Sequence, residues 1–560
     1  GALARGLPPR LTRLTEDHGV CISSCLDAWD DDLVLQAFNR SLILAPEIYG
    51  NPWFLRDDEY PKLARIYNLH RRWRDLLTQG VVLPEADYGP HAVARGDAAT
   101  RVVTLRNLGW EPRTYQVKLD ESIGLTAPGA VTARLFHPHE RILGTQAHGG
   151  TVPVTVAPFS VALLLATTVP CAEPGVSGCD AEVVRDVPGK PLVLRLLGLP
   201  GTTATATFAP DRVAARSATI DGQPLPGFAA GQPVTVTFPG AALTQPSHRR
   251  LAELAACAVP ADARALYEAT CFAADNDALE ARSLRRSGPT LVPQVQAARD
   301  AFFDQELFAT RGCWDKLLFD GRRDTGLGQG GRQPTDVDSS PELRVDLGAP
   351  TVAERFTLDL AGGTTSGQAE GSADLLTWTA LPTTVTAQAV TITPPAGLAL
   401  RYLRLARGSL HLCELTGVQG GKPLPRTAWR ASELFASYSR RTATAAWTAT
   451  VTLGREAPGS YVCIALEGEH GVDGAWAAAR LAGRPLGCPD RAPSFAGNVW
   501  EAPIRQAGSD CTYYLPVTPD MEGRPLDLVV LTLANGKNAY KPVAWITSRE
   551  PMVGRTVVVE

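Results

Sequence analysis

Tyr115, Val117 and Leu119 are separated by single polar residues in Arg113-Thr114-Tyr115-Gln116-Val117-Lys118-Leu119, a period-two pattern that rules out an amphipathic helix there. Thr100-Arg101-Val102-Val103-Thr104-Leu105-Arg106-Asn107 also reads as a half-buried strand, and residues 132–136 and 152–168 continue the series. With 51 glycines and 44 prolines spaced between such runs, the chain is expected to fold as short strands joined by tight turns. Asp221-Gly222 and Asn535-Gly536 are two of those turn signals.

At 560 residues the chain is too long for one core and should divide into about three to five domains. A net charge of -4 argues against a nucleic-acid partner, which requires a basic face. The apolar run Val161-Ala162-Leu163-Leu164-Leu165-Ala166 is too short to span a bilayer and reads as a buried strand. With Gly1 in place of an initiator methionine, the expectation is that an export signal was removed or that the chain is a piece of something longer. Eleven cysteines leave at least one thiol unpaired; Cys171 and Cys179 enclose a turn-rich loop that a disulfide would staple.

Six segments follow from the changes in pattern. Residues 1–80 alternate strand and helix, with a helix expected over 33–40 and a longer one over 59–77, whose stripe is Leu63, Ile66, Tyr67, Leu69, Trp73 and Leu76. Residues 81–185 read as an antiparallel sandwich and 186–245 as a small β domain. Residues 246–305, rich in Ala, Leu and Arg, are expected to be helical over 249–256, 261–270 and 294–303. Residues 306–420 and 421–560 return to β. The fold class is therefore multidomain and mainly β, with a short helical segment.

Residues 314–321 (Trp-Asp-Lys-Leu-Leu-Phe-Asp-Gly), 341–348 (Pro-Glu-Leu-Arg-Val-Asp-Leu-Gly) and Arg401-Tyr402-Leu403-Arg404-Leu405 appear in that order. Together they resemble the coagulation factor 5/8 type (discoidin) module, a β-sandwich that implies carbohydrate binding outside the cytoplasm. The resemblance implies a Ca2+ site in Asp320, Asp324 and Thr325 closed by Glu414, since Ca2+ takes clustered hard oxygens. A plain hydrogen-bonded turn is the alternative, and Gly326 departs from the family's aromatic. It further implies a Cys313–Cys413 bridge and a core role for Trp378.

The acidic turn Asp27-Ala28-Trp29-Asp30-Asp31-Asp32, the stretch 45–53 (Ala-Pro-Glu-Ile-Tyr-Gly-Asn-Pro-Trp) and the closing helix resemble the last β/α units of an α-galactosidase-like barrel. In such a barrel the carboxyl ends of strands face the active site. The resemblance thus implies substrate contacts at Asp27, Trp29, Asp30, Glu47, Tyr49 and Trp53. Solvated acids at a helix start and core tryptophans are the structural alternatives. A whole barrel needs about 250 residues, so no catalytic nucleophile or acid is carried over. Residues 469–476 (Glu-His-Gly-Val-Asp-Gly-Ala-Trp) resemble a galactose-binding-like sandwich. His137-Pro138-His139 lacks a third metal ligand.

The expected function is the C-terminal portion of a secreted, extracellular or periplasmic glycoside hydrolase acting on galactose-type, α-linked glycans. Two alternatives stay open: a non-catalytic carbohydrate-binding or adhesion protein, and a subunit completing a barrel with a partner chain.

Overall fold

The computed structural model describes residues 20–21, 29–39, 46–49, 55–209, 217–266, 269, 290–303, 318–324, 342–362, 367–406, 411–432, 442–471, 474–487, 509–534, 536–548 and 551–560. The chain divides into two compact units: residues 1–250 with 454–462 and 545–560, and residues 251–453 with 463–544. Both are mainly β. No helix among the described residues is long and apolar enough to cross a membrane.

The first unit is built on a nine-stranded sheet. Its order is Pro233–Thr237, Thr203–Phe208, Val176–Ser177, Arg141–Ala147, Ala130–His137, Ser160–Thr167, Thr100–Asn107, Val93–Gly96 and Gly80–Val82. The antiparallel pair of Arg113–Lys118 with Thr151–Val156 contributes to the same core. Its alternation turns Tyr115, Val117, Val152, Val154 and Val156 inward while their neighbours stay exposed, as the period-two pattern requires. Each such apolar side chain, fully buried, contributes about 1.5–3 kcal/mol relative to exposure.

A second core gathers around the five-stranded sheet Asp180–Arg185, Leu192–Gly198, Val553–Val559, Ala218–Ile220 and Gln223–Pro224. The strand Val553–Val559 is antiparallel to both neighbours, with Leu194 opposite Val557 on one side and Ala218 opposite Val559 on the other. Gly198 has no room for a side chain, because a Cβ there would run into the Phe238 ring. Asp221 and Gly222 both take positive φ, 49° and 79°, matching the Asp-Gly turn read from sequence.

Two helices pack in the same unit. Helix α1 (Trp29–Phe38) is buried along its whole length, and helix α2 (Tyr60–Trp73) buries Arg65, Ile66, Leu69, His70 and Trp73. A parallel pair joins Val20–Cys21 to Ile48–Tyr49. The strands expected at 22–24 and 41–45 fall outside the described residues.

In the second unit, the described residues between 318 and 432 form a β-sandwich of two five-stranded antiparallel sheets. Leu343, Val345, Phe356, Leu358, Val390, Leu403 and Trp429 are among the residues filling its core. A further five-stranded sheet runs in the order Ala255–Cys257, Ala443–Thr452, Pro525–Leu533, Ala475–Leu481 and Arg484–Gly487. The helix Pro293–Phe303 lies within the range expected for it. The helix expected over 249–256 does not form. That stretch is instead the strands Arg249–Glu253 and Ala255–Cys257, the second hydrogen-bonded to residues 446–448.

The staple expected between Cys171 and Cys179 is also corrected, because both are free thiols. Cys171 accepts a hydrogen bond from Arg134 at 3.1 Å, and Cys179 is buried against the Leu197 carbonyl. Cys413 is likewise free, and Cys313 lies outside the described residues.

Candidate functional site

The opening constellation is largely engaged in holding the fold. Trp29 is only 2% exposed, and its indole N–H donates to Glu59 Oε1 at 3.1 Å. Glu59 also accepts from the Arg56 amide at 2.7 Å, which ties α1 to the start of α2. Asp30, expected at a pocket rim or in solvent, is buried and paired with Lys62 at 2.8 Å. Asp31 Oδ1 accepts from His137 Nε2–H at 2.6 Å, and both residues are buried. Burial outweighs that hydrogen bond and holds the imidazole pKa below its ordinary value.

Glu47 is exposed, and its backbone amide donates to Gln36 Oε1 at 2.6 Å. Pro46 accepts from the Tyr67 hydroxyl at 3.1 Å, so this segment is anchored to both helices. Tyr49 is placed only by its backbone, opposite Cys21. Asp27 and Trp53 lie outside the described residues.

Beneath α2 runs a charge network that no local pattern announced. Arg65 makes a bidentate pair with Glu140, at 2.7 and 2.8 Å, and a third bond to Glu173 at 2.6 Å. Arg72 pairs with the other oxygen of Glu173. Burial alone would lower the Arg65 pKa, but the two carboxylates hold it above its usual value. The partners lie 75 and 108 residues further along the chain, so sequence spacing carried no trace of them.

Two concave surfaces of this unit are open enough for a ligand. The first, about 560 Å³, is lined by Asn107, Leu108, Trp110, Glu111, Arg113 and Trp545 among others. Asn107 sets its shape. The side-chain oxygen accepts from the Gly109 amide at 2.8 Å, while Nδ2 donates to the Glu111 and Val156 carbonyls at 2.7 and 3.1 Å. The loop so held presents a half-buried Trp110, stacked on Trp545 at 5.7 Å and 10° and edge-on to Phe159 at 4.8 Å. The exposed Glu111 and Arg113 stand beside it. Trp110 was not singled out in the sequence; its Asn-Leu-Gly-Trp turn after a strand was the available signal. The second surface, about 1130 Å³, lies between α2 and residues 183–192.

In the 318–432 sandwich, Glu414 receives the Gly321 amide on both carboxylate oxygens at 3.1 Å and pairs with Arg426. Burial raises the Glu414 pKa more than these donors lower it. Asp320 accepts from the Arg322 amide at 2.9 Å, and the exposed Asp324 pairs with Arg322 at 2.8 Å. Arg426 supplies the positive charge a cation would bring, so the described residues fit a hydrogen-bonded turn better than a calcium cage. Thr325 lies outside the described residues. Among the described residues, no three His, Cys, Asp or Glu side chains converge as a metal site. Trp378 is partly buried against a small cluster of Ala265, Ala269, Leu375 and Tyr402, apart from the sandwich core, and stacks under Arg404 at 4.0 Å.

No family model matches the chain, and no curated protein matches it. Among solved structures, the arabinofuranosyltransferase AftD from Mycobacteria aligns at 11% identity, covering 83% of this chain and 33% of its own, with a TM-score of 0.13. The cycloalternan-forming enzyme from Listeria monocytogenes aligns at 10% identity over 89% of this chain and 34% of its own, with a TM-score of 0.12. A Paenibacillus xanthan lyase aligns at 9% identity over 86% and 55%, with a TM-score of 0.15. The chain thus spans between a third and just over half of each of these proteins, and at these TM-scores none establishes a shared fold.

Proposed function

We propose that this chain is the glycan-holding portion of a secreted glycoside hydrolase acting on galactose-type sugars, with the catalytic carboxylates supplied from outside this chain. The observation that carries this reading is the cleft around Trp110. A sugar ring has an apolar face that stacks on an indole and equatorial hydroxyls that bond to flanking charges; Trp110, Glu111 and Arg113 offer both. The Asn107 hydrogen bonds fix the loop in advance, so little ordering entropy opposes binding. The galactose preference and the hydrolase context rest on the sequence resemblance of residues 1–80. The alternative of a purely adhesive protein draws on the engagement of Trp29 and Asp30 in structural bonds.

Titration calorimetry with neutral galacto-oligosaccharides tests this. Trp110→Ala is expected to weaken binding about ten-fold, a loss of the size typical for one aromatic platform, while Trp110→Phe retains most of it. Unchanged binding in Trp110→Ala would remove the cleft from consideration. Release of nitrophenol from nitrophenyl galactosides by this chain alone would overturn the placement of the catalytic carboxylates.

A further inference from the structure

The larger cavity differs in character from the Trp110 cleft. Along α2, Arg65, Asn68, Arg71 and Arg72 recur at helical spacing and so share the face that lines it. Arg185 and Lys190 line it from the opposite side. With Arg65 and Arg72 committed to Glu140 and Glu173, Arg71, Arg185 and Lys190 face Asp186 and Glu560 among the described lining residues, a local cationic excess in a chain whose net charge is -4. Glu173 is already neutralised by two guanidiniums, so it does not repel an incoming anion. Arg71 is braced by Asn68 Oδ1 at 3.1 Å and makes no ion pair among the described residues; neither does the exposed Lys190 ammonium. Val183, Val187 and Leu192 add an apolar wall.

We propose that this cavity binds an acidic saccharide, with Arg71 and Lys190 receiving its carboxylate or sulfate and the apolar wall meeting a ring face. Guanidinium and ammonium donors in a concave site are suited to oxyanions, and the volume of about 1130 Å³ accommodates more than one sugar residue. The inference deepens the glycan reading and rests on it for the sugar part of the ligand; the anion contacts are independent of Trp110.

The test is calorimetric titration of the full chain with an oligogalacturonate, a neutral galacto-oligosaccharide of equal length, and sodium sulfate. The carboxylated oligomer is expected to bind about ten-fold tighter than the neutral one, and that preference should shrink as salt is raised. Arg71→Glu combined with Lys190→Glu should abolish the preference. Both positions are exposed, and an unchanged melting temperature confirms the fold. Arg185→Gln is the milder second variant and should reduce the preference in part. Trp110→Ala should leave it intact, so failure of the aromatic cleft and failure of this site are told apart. Equal affinity for both oligomers, or a preference indifferent to these substitutions, overturns the proposal. Sulfate binding as tightly as the oligomer also overturns it, because the site would then be a bare anion hole.

Discussion

Arg65 shows how one side chain organises the first unit. Its guanidinium spends three bonds on Glu140 and Glu173, and all three groups are at least nine-tenths buried. A buried pair is weak evidence of net stabilisation, because desolvating both partners offsets much of their attraction. Removing one partner is another matter. Arg65→Met strands Glu140 in the interior, leaves Glu173 to Arg72 alone, and is expected to cost about 3–5 kcal/mol, read as a lowered urea midpoint. A triple variant that also replaces Glu140 and Glu173 by Gln should recover part of that loss. Glu182 makes a second residue-scale prediction. Burial raises its pKa, but the neighbouring His139, 3.8 Å away, and the charges of Lys62 and Arg195, whose Nε donates to it at 2.8 Å, overcome this and bring it from 4.5 to about 2. The folded state therefore holds the proton less tightly than the unfolded state. Its contribution is complete above about pH 4.5 and fades as pH falls towards 2. Denaturation midpoints measured across that window should fall less steeply in Glu182→Gln than in the parent.

At the scale of elements, a stretch was legible where its own side chains decided its face. The alternation of Arg113–Lys118 and the apolar Ser160–Thr167 are strands as read, and α2 keeps its stripe at Ile66, Leu69 and Trp73. Residues 249–256 misled because Ala, Leu and Arg favour helix by less than a kcal/mol each, a bias that ladder hydrogen bonds to residues 446–448 easily exceed. Asp30 and Asp31 read as a solvated helix start because their partners were invisible locally: His137 is 106 residues beyond Asp31. The site was legible least of all. Trp110 gains meaning only beside Trp545, and the cationic cavity only when α2 meets residues 183–192. The central strand Val553–Val559 carries an element-scale prediction. Val557 is fully buried between Leu194 and Ile220, so Val557→Asp places a charge in that core. Amide exchange in Leu192–Gly198 should accelerate by at least about a hundred-fold, corresponding to roughly 3 kcal/mol of lost protection.

For the molecule as a whole, the division into units does not follow the order of the sequence. Residues 545–560 belong with 1–250, although most of 251–544 forms the other unit. Ending the chain after residue 544 should therefore damage a region more than three hundred residues upstream of the cut, visible as protease cleavage near 185–225. The same arrangement bears on synthesis. Strands Leu192–Gly198 and Ala218–Ile220 emerge from the ribosome well before the strand that separates them, which is translated more than three hundred residues later. At about 5–20 residues per second, those two edges stay unpaired for tens of seconds, exposed to misassociation. A cell making this chain would need to shield that gap, and a message broken before the codons for residues 553–559 would yield a product that quality control can recognise by its missing ribbon.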